Sequence, residues 1–157
     1  MRVLVGGVGY RFLRDDSIGP WVADELAPRA GGDIEVEDLS YHPVGLVHNL
    51  RERPPYERIV LVGAVRRARE PGTVEAYRWS RELPSRAEVQ DRVSEAVTGV
   101  ISLENLLIVC EALDGLPEDV RVVEVEPSAE RWGEGFSPPV RARLPEILDT
   151  VWTLTRP

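Results

Sequence analysis

The stretch VGGVGYRFLRDDSIGP, residues 5–20, decides the fold. A short apolar run, RVLVG at 2–6, passes into Gly7-Val8-Gly9 and reads as a buried strand ending in a turn. From Ser17 to about Ala27, Ile18, Trp21, Val22 and Leu26 recur at helical spacing. Pro20 falls in the first turn, where its missing N–H costs nothing. Strand, glycine turn and helix open an α/β unit. Asp15 and Asp16 stand where the turn becomes the helix, and the pair has two readings. It can hold a metal ion, or it can cap the helix by accepting backbone N–H groups and complementing the dipole.

The same alternation continues outward. DIEVEDL at 33–39 alternates as a second strand, and HPVGLVHNLRERPP at 42–55 offers a short helix stopped by Pro54-Pro55. RIVLVGAV at 58–65 is a fully apolar third strand. RRAREPG at 66–72 is a loop, and TVEAYRW at 73–79 an edge strand. Ser85 and Glu88 form a capping box that opens a helix through Val97, which Gly99 breaks. Leu103, Leu106, Leu107, Cys110 and Leu113 mark another helix, ended by Gly115. VRVVEVEP at 120–127 is the last strand. After a loop, one closing helix from Pro139 buries Val140, Leu144, Ile147, Leu148, Val151 and Trp152. The reading is a single-domain α/β/α sandwich, residues 1–157, with a mostly parallel twisted sheet of about five strands. Ligands of such sheets bind outside the carboxyl ends of the strands. That rule gathers residues 6–16, 38–42 and 63–70 at one mouth.

Composition narrows the function. A formal charge of −8 argues against nucleic acid or an anionic membrane surface as partner. No segment is apolar enough to cross a bilayer, and the N-terminal apolar run is too short for a secretory signal, so a cytoplasmic location is expected. The lone Cys110, inside LLIVCEAL, excludes an internal disulfide and reads as a buried hydrophobe. All 19 basic residues are arginine, so a P-loop lysine is excluded. Gly7-Val8-Gly9 invites a dinucleotide reading, but position 12 is Phe, the helix starts late, and two aspartates would repel a pyrophosphate.

With Gly7, Gly9, Leu13, Asp15, Asp16 and Gly19 in place, the opening resembles the G-[VI]-G-N-x-L-x-x-D-[DE]-x-G motif of the hydrogenase maturation endopeptidases. Those nickel-dependent enzymes remove the C-terminal peptide of the nickel-iron hydrogenase large subunit. Tyr10 replaces the usual Asn. RIVLVGAVRRAREPGTVEAY, TGVISLENLL, VRVVEVEPS and GFSPPVRARLPEILDTV resemble later segments of the family, so the likeness covers nearly the full length. The resemblance implies an α/β/α sandwich, a hydrogenase large subunit as protein partner, and three metal ligands. The first ligand position is Asp16. The second, an Asp ending the third strand in the family, is Gly63 here. The third, a His before the next helix, falls at Gly99.

Glycine donates nothing to a metal, and one carboxylate does not hold a divalent ion against water. No bound cofactor is therefore expected, and peptidase activity is expected to be lost or altered. His42 follows the second strand and faces the same mouth; Asp16, Asp38 and His42 form a makeshift ligand set, unless His42 simply satisfies a loop hydrogen bond. Without partner ligands, Asp15 or Asp16 is expected to cap the helix. Gly7, Gly9, Tyr10, Asp15, Asp38 and Arg66 are expected to line the cleft. Arg66, Arg67 and Arg69 either clamp a carboxylate or form a solvated charge run. Trp79, Trp132 and Phe136 offer a protein-binding surface. Three functions stay open: a binding module on the protease scaffold, an active metalloendopeptidase with a rebuilt site, and a small-molecule or nucleotide binder at the glycine turn.

Overall fold

The structure, a computed structural model, describes residues 1–157. Five strands form one sheet: β1 Val3–Val8, β2 Ile34–Asp38, β3 Arg58–Ala64, β4 Val74–Arg78 and β5 Asp119–Val125. Their order is β2-β1-β3-β5-β4. All neighbours are parallel except β4, which runs antiparallel to β5 at the edge. Strands β1 and β3 are apolar on both faces beyond Arg58 because both faces are covered, and β5 adds a buried Glu124 among its valines. Val3 and Val5 point to one core, Leu4 and Val8 to the other.

Helices α1 Ile18–Leu26 and α6 Leu144–Thr153 supply Ile18, Val22, Leu26, Ile147 and Val151 to the first core. Helices α2 Pro43–Arg51 and α4 Leu103–Ala112 supply Leu46, Val47, Leu103, Leu106, Leu107 and Cys110 to the second. Helix α3 Arg86–Val97 lies outside this sandwich, packed on α4, with Ala96 its one buried residue. None of the helices is long and apolar enough to cross a membrane.

Two boundaries differ from the sequence reading. Strand β1 continues two residues past Gly6, because Gly7 and Val8 pair with Val62 and Gly63. The closing helix is two helices, α5 Pro138–Arg141 and α6. Pro145 has no N–H to offer the Arg141 carbonyl, so it sits in the first turn of a new helix instead.

Chain direction sets the site. From β1 the chain passes to β2 on one side and then crosses to β3 on the other. The crevice between the carboxyl ends of β1 and β3 is thus the switch point of the sheet.

Candidate functional site

The glycines of the opening motif are steric requirements. A Cβ at Gly7 would lie 2.0 Å from the Gly19 carbonyl oxygen, and one at Gly19 would lie 2.3 Å from the Val8 backbone. The end of β1 and the start of α1 touch backbone to backbone. Most amides of the turn are already used within the chain. Gly9 N–H donates to Ser40 Oγ, Tyr10 N–H to Asp16, and Leu13, Arg14, Asp15 and Asp16 N–H to other carbonyls of the chain.

Neither aspartate caps α1, contrary to the sequence reading. A 3-10 turn, Arg14–Ser17, precedes the helix, and no side chain bonds its first N–H groups. Asp15 points the other way. It is 1 % exposed and accepts from Ser128 N–H, Ala129 N–H and Ser137 N–H at 2.8–2.9 Å and from the Ser137 hydroxyl at 2.7 Å. Its own N–H donates to the Ala129 carbonyl, and Arg14 N–H to Gly133. Asp15 thus does not line the cleft; it fastens the 128–137 loop to the turn.

Asp16 does face the cleft, an opening of about 490 Å3. Tyr10 and Leu13 line it from the turn, Ala64, Val65 and Arg66 from the end of β3, Ile101 to Glu104 from the start of α4, and Glu130 from the far loop. Burial pushes the Asp16 carboxyl up to about 6; the Tyr10 N–H opposes that rise and the Glu130 charge adds to it.

The family's nickel does not fit these residues. Asp16 is the one side-chain donor among the three positions. A Cβ at Gly63 would stand 2.9 Å from the Val8 carbonyl oxygen and 3.4 Å from Leu103 Cβ, so a longer side chain there must displace backbone. Gly99 has open space but φ of +88°, a backbone that a histidine adopts only under strain. Across this gap, the Tyr10 hydroxyl donates to the Gly99 carbonyl at 3.2 Å and accepts from Ile101 N–H at 2.8 Å.

The makeshift set is not assembled. No group of three His, Cys, Asp or Glu side chains is placed to hold a metal ion. His42 caps α2, its Nδ1 accepting from Val44 N–H at 3.1 Å. Asp38 accepts from Arg11 at 2.9 Å and from Ser40 N–H at 3.0 Å. His48 pairs with Glu52 one turn along α2.

The arginines of the 66–69 loop are exposed or half-buried, and each is paired with an acid of this chain. Arg66 pairs with Glu130 across the cleft. Arg67 and Arg69 both pair at 3.0 Å with Glu124, which is 2 % exposed and also accepts from the Tyr77 hydroxyl at 2.8 Å. Sequence reasoning placed 120–127 as a strand without assigning partners to its charged residues; Glu124, an acid among Val122, Val123 and Val125, was the signal of this network. Cys110 is buried, with its thiol pushed up to about 12 by burial, and donates to the Pro43 carbonyl. Trp132 is 78 % exposed, whereas Phe136 packs edge-on against Trp21 and Trp79 is half-buried against the second core.

No family model matches this sequence, and no curated protein matches it. Solved structures do match. The hydrogenase maturating endopeptidase HybD from E. coli is 22 % identical with a TM-score of 0.74, the match covering 99 % of this chain and 93 % of that one. The hydrogenase 2 maturation peptidase from Thaumarchaeota archaeon SCGC_AB-539-E09 is 24 % identical with a TM-score of 0.67, covering 99 % and 98 %. The [NiFe] hydrogenase maturation protease HybD from Thermococcus kodakarensis is 19 % identical with a TM-score of 0.65, covering 99 % and 100 %. Over its whole length, this chain has the fold of the hydrogenase maturation endopeptidases.

Proposed function

We propose that this chain is a hydrogenase maturation protease-like protein that engages a hydrogenase large subunit in the cytoplasm and does not cleave it by the nickel-dependent route. The observation that carries the reading is the pair Gly63 and Gly99. The fold is that of the maturation endopeptidases, and the Asp15-Asp16 motif resembles theirs, but two of the three positions that the resemblance assigns to the ion are glycine. The first is crowded by backbone and the second has left-handed φ, so neither accepts a ligand without movement. Without a bound ion, nothing at the mouth lowers the pKa of an attacking water or polarises a peptide carbonyl as a metal does. What remains is a shaped cleft with an apolar floor, Asp16, Glu104 and Glu130 on its walls, and exposed Trp132 and Phe12 on the neighbouring loops. These features suit a polypeptide more than a small molecule.

The test is co-expression with a large-subunit precursor, native mass spectrometry of the purified protein, and elemental analysis of the same sample. The expected result is a complex with an uncut precursor tail and no stoichiometric nickel. Tail cleavage with bound metal would establish an active metallopeptidase in its place. Absence of any complex would remove the large subunit as partner.

A further inference from the structure

We propose that Tyr10 is the positioning residue of the cleft: its hydroxyl clasps the 99–101 segment to the turn after β1 and holds the mouth in shape with no ion. This inference goes beyond the functional reading above and stands whether or not a large subunit binds. The hydroxyl is used fully, with its one proton donated to the Gly99 carbonyl and its lone pair accepting from Ile101 N–H. The two partners flank Val100, so the bonds fix the path of the chain as it leaves α3 and enters α4. Tyr10 and Ile101 both line the cleft with Asp16, so this contact sets the distance between two of its walls.

The rest of that wall is shallowly buried. Helix α3 buries only Ala96 and ends at Val97, which is 69 % exposed, and Val100 between α3 and α4 is 41 % exposed. Gly99 takes φ +88°, and a Cβ there would meet nothing within 4 Å. Ser102, by contrast, is fixed as the cap of α4, its Oγ accepting from Asn105 N–H. The segment is therefore anchored at its α4 end by Ser102 and at its α3 end by Gly99 and Val100 N–H groups donating to the Ala96 and Glu95 carbonyls, with Ile101 packed on the second core, and the Tyr10 phenol is its hydrogen-bonded tie to the turn after β1. Elements with shallow burial open locally at low cost, so release of the phenol frees the wall without unfolding the sheet.

Amide hydrogen exchange on the intact protein tests the clasp, with Tyr10→Phe and Tyr10→Ala compared with the parent, each with and without a strong chelator. The expected result is a loss of Ile101 protection by about ten-fold in both variants, the size of one lost hydrogen bond. Amides of β5 should not change, and the chelator should have no effect on the parent. Equal protection of Ile101 in Tyr10→Phe and the parent would overturn the proposal. Loss confined to Tyr10→Ala would also overturn it, since the ring and not the hydroxyl would then be the support. If neither variant folds, the chelator arm on the parent decides: opening of 97–101 on chelation would assign the job to an ion and reject the clasp.

Discussion

Two neighbouring aspartates with the same charge have unrelated jobs here, and direction of the side chain separates them. Asp15 is inside the molecule with four donors on its carboxylate. Asp16 is on the cleft wall with one. Replacing Asp15 by Asn puts an amide NH2 against backbone donors while leaving the buried N–H groups short of an acceptor. We expect Asp15→Asn to cost about 3 kcal/mol in urea unfolding. The same change should loosen the 128–137 loop, seen as faster proteolysis there. Gly19→Ala is a second check at this scale. The added methyl would meet the Val8 backbone and, 2.7 Å away, the Val62 carbonyl, none of which is a flexible side chain. The expected loss is about 3 kcal/mol or failure to fold, read from the same unfolding curve.

Elements differ in how firmly the sandwich holds them. Helix α4 is buried along its length from Leu103 to Cys110 except at Glu104, while α3 contacts the rest of the fold chiefly through α4. Both begin with a serine cap: Ser102 Oγ accepts from Asn105 N–H at 3.1 Å, and Ser85 Oγ from Glu88 N–H at 3.3 Å. Ser102→Ala should lower global stability by about 1 kcal/mol, because α4 cannot fray without opening the core. Ser85→Ala should leave the global transition unchanged within error and speed exchange only in the first turns of α3. Equal effects in denaturant unfolding would contradict this ranking of the two helices.

At the scale of the whole molecule, carboxylates tied to arginines make the fold sensitive to acid. Burial alone would raise the Glu124 carboxyl, but hydrogen bonds from Arg67 and Tyr77 and the arginine charges outweigh it and hold it below the usual range. Asp119 is likewise lowered, its burial outweighed by Arg121 and Arg58, and Glu35 by Tyr56 and Arg2. A carboxyl lowered in the folded state adds stability above its unfolded pKa, and that stability is lost as pH falls through the folded value. Unfolding free energy should therefore decline as pH drops below about 4.5. Glu124→Gln should cost about 2 kcal/mol at pH 7, where it leaves Arg67 and Arg69 without their shared acid. The difference from the parent should shrink as pH falls through the lowered folded value of the Glu124 carboxyl and the parent is itself protonated. A constant gap across that range in thermal or urea unfolding would refute the assignment.

Much of this was written along the chain. Local periodicity and glycine placement determined the strands, the helices, the edge position of β4 and the mouth at the ends of β1 and β3, because burial on one or two faces imposes its own spacing on the residues. The absence of donors at 63 and 99 was equally legible, since glycine has none in any fold. What only the tertiary structure decided were relations between residues far apart in sequence. The grip of Asp15 on residues 128–137, the pairing of Arg67 and Arg69 with Glu124, and the Tyr10 bond to Gly99 and Ile101 each join segments more than fifty residues apart. The direction of a carboxylate or a phenol follows from the path of the whole backbone. A sequence shows that such a group is present, and packing chooses its partner.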